Sequence, residues 1–437
     1  MSNRSHLTTR RDFLQKGLGL LSASLVVPSW LSRTAYAIEN PLDVRPLQGR
    51  PGIPDERILI VLQLSGGNDI LSTIVPYGMD EYYSSRKVAA IPSNRVLKLN
   101  DQIGMHPNLE AMKSIFDDGN MSIIQAVGYP NPNRSHFKSM EVWHTANRKA
   151  PYRSPGWLGH LIESSNQGVA DSTTAISIGN EAPKALIGNH YRGVAFQNPA
   201  LYAWHGTQLK TGKKGRGRSE KSMDSKSPQQ LQQSYSNLNR SRQSGNSSLD
   251  FLSSTATNAN ASSAEVRQAI ARFKPTGKYT GRLGNDAKMV AAMIAGGLKT
   301  RIYYLSLGGF DTHSSQRNRH DRLMLELSTN VKALMTDLKR TGHDERVLMM
   351  SFSEFGRRVA ENASGGTDHG SGGGMFLFGT PVQGGIVGDH PSLTELDRGD
   401  LQWKTDFRSV YATVIDQWLG GKSAQVLGET FPKLPIL

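Results

Sequence analysis

Ile58-Leu59-Ile60-Val61-Leu62 is an unbroken apolar run, short for a packed helix and closed off by Gly66-Gly67. A run without polar alternation buries both faces, the pattern of a strand in a parallel sheet covered by helices on both sides. Similar runs recur at 121–127, 301–307, 347–352 and 375–378. Stretches with helical spacing lie between them. Residues 107–118 carry Leu109, Met112, Ile115 and Phe116 and stop at Gly119. Residues 285–298 read as another helix, and 319–339 as a long one with Leu323, Leu327, Val331, Leu334 and Leu338 on one face. Strands alternating with helices in this order predict an α/β fold with a doubly wound sheet.

Two segments stand apart from that pattern. Thr9-Arg10-Arg11-Asp12-Phe13-Leu14 leads into an apolar run over 17–27 and then Ala35-Tyr36-Ala37, a small-x-small cleavage box. The run is shorter than the about 20 residues that a bilayer span needs, so 1–37 reads as an export signal absent from the mature protein. Its paired arginines resemble the twin-arginine (Tat) signal, whose clients cross the membrane folded and often metal-loaded. The expectation is a periplasmic or secreted protein with no membrane span in the mature chain and the Tat translocase as its partner during export. Residues 207–264 turn to Ser, Asn, Gln, Gly and Lys, a disordered or weakly helical low-complexity insertion that divides one domain into 38–206 and 265–437.

The 437 residues include no cysteine, which excludes disulfides, zinc-thiolate sites and thiol nucleophiles and leaves oxygen and imidazole to hold any metal. The formal net charge of +14 suggests a polyanion partner until it is located. Most of it lies in the signal and in the tract 210–242, which reads as a solvated loop, so no nucleic acid is expected.

Ligands of an open α/β sheet bind beyond the carboxyl ends of its strands. The strand at 58 runs into Ser65-Gly66-Gly67-Asn68-Asp69, and that at 121 is followed by Asn133-Arg134-Ser135-His136-Phe137. The strand at 301 runs into Gly308-Gly309-Phe310-Asp311-Thr312-His313, and that at 347 into Ser353-Glu354-Phe355-Gly356-Arg357-Arg358. Thr367-Asp368-His369-Gly370 precedes the strand at 375. Each has a bland reading. Asp69 can cap a helix, Asp311-Thr312-His313 can form an Asx turn, and Glu354 can pair with Arg357 or Arg358. Asp368-His369 can be a loop ion pair, Ser135 an N-cap and His136 a packed ring. Five such segments at one predicted edge point instead to convergence, and carboxylates with imidazoles suit zinc, manganese or another divalent ion.

These motifs, with Gly128-Tyr129-Pro130-Asn131-Pro132 and Met140-Glu141-Val142-Trp143-His144-Thr145-Ala146 around the second segment, resemble the bacterial family called domain of unknown function 1501. That resemblance implies an alkaline phosphatase-like fold over about 57–436 and, through the superfamily, a metal-dependent phosphate or sulfate ester hydrolase. Carried over residue by residue, it makes Ser135 the nucleophile; Arg134 beside it can bind substrate oxyanions, since a guanidinium matches phosphate and sulfate bidentately, or be a surface arginine. Asp69 would begin a second metal site and Asp311, His313 and His369 would form the first; Glu354, or else Asp368 with His369, would complete the second, around zinc or manganese.

Two departures qualify the match. The spacing Asp311-x-His313 replaces Asp-x-x-x-His, with His320 an alternative ligand, and Phe355 stands where the second site needs a histidine. The alternative is a non-catalytic exported protein that keeps the fold for binding or assembly with an exported partner protein. His106 and His144 read as capping or packed rings rather than ligands.

Overall fold

β1 (Ile58–Ser65) lies near the middle of a nine-stranded sheet in the computed structural model of the chain, which describes residues 56–149, 151–165, 172–198 and 264–437. The 1–37 signal therefore falls outside the described residues, as does the 207–264 insertion apart from its last residue, which opens a helical stretch over 264–272. The other sheet strands are β2 (Met121–Gly128), β3 (Ala175–Ile178), β4 (Val194–Phe196), β5 (Ile302–Gly308), β6 (Val347–Phe352), β7 (Gly373–Phe378), β8 (Gly385–Val387) and β9 (Thr405–Asp406). Their order is β8-β2-β7-β6-β1-β5-β3-β4, with β9 also on β2. β1 is parallel to both β5 and β6, pairing Leu62 with Leu305 and with Ser351.

Ile58 to Leu62 are at most 1% exposed, as their unbroken hydrophobicity requires. Successive side chains point to opposite faces. Ile58, Ile60 and Leu62 join one apolar cluster with Leu323, Leu327 and Leu334 of α5 (Gln316–Arg340), Val290 of α4 (Gly281–Ala295) and Met112 of α1 (Glu110–Asp117). Leu59 and Val61 join another with Trp143 of α2 (His136–Thr145), Leu158 of α3 (Trp157–Ser165) and Tyr411 of α6 (Phe407–Thr413). Each fully buried side chain of this size contributes about 2 kcal/mol, so both helical layers are held to the sheet through one strand. This is the doubly wound α/β sheet that the alternating pattern predicts.

One strand departs in direction. β7 is antiparallel to both its neighbours, β2 and β6, so the loop entering it lies at the same rim as the carboxyl ends of the parallel strands. An apolar run does not record which way the chain travels. The helix α2 leaves a faint trace in the sequence because its buried residues are Ser139, Val142, Trp143, His144 and Thr145, mostly polar or aromatic. Among the described residues no helix is long and apolar enough to cross a membrane.

Candidate metal centre

The rim loops meet because glycine lets them touch. Gly66 has φ +120, and a Cβ there would lie 2.4 Å from the amide nitrogen of Asp311, so only glycine lets the β1 loop lie against the β5 loop. Arg357, beyond β6, locks the arrangement. Its side chain is fully buried and donates to the carbonyls of Gly67 (2.8 Å), Thr367 (2.7 Å), Phe310 (3.0 Å) and Gly66, and to Asp311 Oδ1 (2.8 Å). One guanidinium thus ties the loops after β1, β5 and β6 to the loop before β7.

Three imidazoles converge on Asp311, and each is oriented by its Nδ1. His136, the first residue of α2, places Nδ1 2.8 Å from Glu354 Oε1; His313 places Nδ1 3.1 Å from Asp368 Oδ1; His369 places Nδ1 2.9 Å from the carbonyl of Arg134. Carboxylates and carbonyls only accept, so each Nδ1 carries the proton and, in the neutral ring, each Nε2 presents a lone pair. The Nε2 atoms of His313 and His369 are 2.9 Å apart, and each is 3.1 Å from Asp311 Oδ1. His136 Nε2 is 3.5 Å from Asp311 Oδ2, buried, and otherwise without a hydrogen-bond partner among the described residues. Ligand atoms of His136, Asp311 and His369 all lie within 4.8 Å of one another.

Facing lone pairs repel unless a proton or cation lies between them. Donors held about 2.0–2.2 Å from a tetrahedral zinc ion are separated by roughly 3.3–3.6 Å, so the His313–His369–Asp311 triangle needs only slight opening to accept one. Burial would raise the Asp311 carboxyl, but the hydrogen bond and charge of Arg357, with the imidazoles facing it, hold it well below the usual carboxylate range, keeping it an anion. The bond to Glu354 raises His136, whereas burial lowers His369 and favours its neutral form.

The remaining expected residues have other neighbours. Asp69 is fully buried and stands outside the cluster: it caps the helical turn Ile70–Thr73 and accepts from both Nη atoms of Arg86, from Ser72 Oγ and from Gln316 Nε2. Its oxygens are thus engaged by neighbours other than the histidines around Asp311. Glu354, 1% exposed, accepts from the Gly66 amide as well as facing His136, and Asp368 accepts from Asn362 Nδ2; both carboxylates orient histidines from behind. Arg134 is held by Asp400 at 2.6 Å.

Ser135 is the N-cap of α2, yet its side chain makes no capping bond; its amide donates to Asn133 Oδ1. The Phe355 ring packs on His136 and His369 with centroids 4.9 and 4.6 Å apart, forming an apolar floor where a second metal site would need a histidine. His320, the alternative ligand, points to Asn68 and Thr73, and burial lowers it to about 3. His106 faces Asp321 and caps the turn Pro107–Leu109; His144 lies against the Tyr304 hydroxyl.

Sequence reasoning misses His136 as a member of the cluster and Arg357 as its clamp. The only signal for His136 is its place beside Ser135 at a strand end. Nothing local distinguishes Arg357 from Arg358.

Among solved structures, the chain is similar to the C-terminal periplasmic domain of EcEptC from Escherichia coli in complex with Zn, at 12% identity over 77% of each chain with a TM-score of 0.33. It is similar to a protein in the alkaline phosphatase superfamily from Vibrio parahaemolyticus, at 9% identity over 89% of this chain and 72% of that one with a TM-score of 0.34. The phosphonate monoester hydrolase SpPMH from Silicibacter pomeroyi matches at 10% identity over 86% and 77%, with a TM-score of 0.33. No curated protein matches the chain. A family model described as protein of unknown function (DUF1501) matches residues 56–418, which takes in every rim loop of the cluster, and the chain belongs to that family.

Proposed function

We propose that this chain is an exported, metal-dependent hydrolase of phosphate or sulfate esters with an alkaline phosphatase-like site. The observation that carries the reading is the common orientation of three histidines, each tied at Nδ1 by an acceptor and turning Nε2 toward Asp311. Acceptors behind ligating histidines fix the tautomer and raise ligand basicity. Asp311, His313 and His369 would hold one divalent ion, with His136 as a fourth donor; nitrogen and oxygen donors without thiolate suit zinc or manganese. Such an ion, when bound, supplies Lewis acidity and lowers the pKa of an oxygen nucleophile near it.

The chain's own residues supply the rest. Ser135 keeps its hydroxyl free of the capping bond usual at this position and stands at the start of a ten-residue helix, where first-turn amides favour negative charge. In this reading Ser135 Oγ bonds to phosphorus or sulfur, the bond to the alcohol oxygen breaks, and the alcohol leaves with a proton. Water then releases phosphate or sulfate and restores the hydroxyl. Export by the Tat route to the periplasm or beyond rests on the 1–37 pattern.

The second reading, a non-catalytic binding or assembly protein with an exported partner, is favoured by one observation: Phe355 packs on His369 and Asp69 is engaged by Arg86, so neither adds to the one cluster found among the described residues. Elemental analysis of the mature protein tests the first. One zinc or manganese per chain, lost in the Asp311→Ala, His369→Ala double variant, and turnover of aryl phosphates or sulfates lost in Ser135→Ala, are expected. A folded, metal-free wild type would overturn it.

A further inference from the structure

We propose that Arg358 and Arg134, gathered on the buried carboxylate of Asp400, form an anion subsite beside the cluster that takes a second, non-reacting anionic group of the substrate. This rests on the ester-hydrolase reading and narrows it to esters that carry a further carboxylate, phosphate or sulfate.

Arg134 Nε and Nη2 lie 2.9 and 2.6 Å from the same oxygen, Asp400 Oδ2. Arg358 Nε stands 3.7 Å from the other oxygen, beyond hydrogen-bond reach, and neither of these two buried atoms has a hydrogen-bond partner among the described residues. The Asp400 side chain is 3% exposed, while those of Arg134 and Arg358 are 35% and 39% exposed. Two guanidiniums converge on one buried carboxylate, with Asp368 and Asp397 as the other carboxylates near them, and both cations are held from below and half-exposed above. Burial pushes the Asp400 carboxyl up, as a carboxylate with one unsatisfied oxygen should be.

The pair brackets His369. The carbonyl of Arg134 meets its Nδ1, and the amide of Arg358 donates to the carbonyl of Asp368 at 3.0 Å. Ser135 follows Arg134 directly. The Nδ1 edge is the one His369 turns away from Asp311, so the backbone of Arg134 meets the ring on the side away from the point where the Nε2 atoms converge. An anionic substituent next to the scissile group, rather than that group itself, is what the pair can reach. The guanidinium fork matches carboxylate, phosphate and sulfate oxygens bidentately. Arg358 Nε gives up no hydrogen bond in turning to such a group, because it makes none among the described residues.

The test uses two non-hydrolysable ligands of the same length, propylphosphonate and 3-phosphonopropionate, which differ by one carboxylate. Each is titrated calorimetrically into zinc-loaded wild type, Arg358→Met and Arg358→Lys, with thermal unfolding as the check on folding. Wild type should bind 3-phosphonopropionate about tenfold more tightly, the scale of one charge-assisted fork. Arg358→Met should bring the two ligands to the same affinity. Arg358→Lys, the milder change should the methionine variant misfold, keeps the charge but loses the fork and should lower the preference. Equal affinities in wild type, or a preference that survives both substitutions, would overturn the subsite while leaving the ester reading standing. Binding of neither ligand would overturn both.

Discussion

Two carboxylates sit on the same sheet rim, each beside an arginine and near a histidine, and they have opposite fates. Asp69 is wholly enclosed, with its oxygens taken up by Arg86, Ser72, Gln316 and the amide of Leu71. Asp311 is 47% exposed, meets Arg357 on one side and faces imidazole nitrogens with uncommitted lone pairs on the other. The residue types do not separate scaffold from site. What separates them is the bonding capacity left after the protein has satisfied itself: none at Asp69, a convergent surplus at Asp311.

The largest effect should come from breaking the closed cluster. Asp69→Ala leaves Arg86 buried without its counter-charge, which costs about 3–5 kcal/mol in urea unfolding. Its counterpart at the open cluster, Asp311→Asn, should cost less metal-free stability, since the carboxylate is half-exposed and Arg357 keeps its carbonyl partners, yet weaken zinc at least about 100-fold in competition titrations. If the two substitutions proved equally destabilising, or Asp311→Asn kept its zinc, the contrast would fail.

Acid unfolding sharpens the same contrast. Burial would raise Asp69, but Arg86 brings it down to about 2 from 3.8. A folded-state value below the unfolded one gives stability that is present above about pH 4 and lost as pH falls toward 2. The contribution is about 2 kcal/mol, and the pH profile of Asp69→Asn should lack that slope. The smallest effect is expected behind the metal. Glu354→Gln keeps an acceptor for His136 but not its charge, and zinc affinity should fall about tenfold with little change in the unfolding midpoint.

Much of this is legible in the sequence. Buried strands announce themselves because covering both faces demands unbroken hydrophobicity, so the apolar runs locate β1, β2, β5 and β6 within a residue or two. The short strands β3, β4, β8 and β9 give no such signal, with two to four residues each. The five rim segments stand out because each borders the end of an apolar run. Which of their residues converge is not legible, since that depends on loop contacts such as Gly66 on Asp311 and on the reversed direction of β7. Asp69 and Asp311 look alike in one dimension, because the groups that close off the first, Arg86 and Gln316, lie 17 and 247 positions from it along the chain.

Arg357 has a further consequence, for the order in which the molecule is built. It reaches the carbonyl of Gly66, 291 positions earlier in the chain, and that of Thr367, ten positions later. Contacts of such separation form after local ones, because the intervening chain must first be ordered. A nascent polypeptide that ends before β6 can begin pairing β1 with β5, but nothing yet gathers the loops beyond them. The cluster of His136, Asp311, His313 and His369 is therefore assembled late, once β6 lies between β1 and β7 and Arg357 can gather the loops around it.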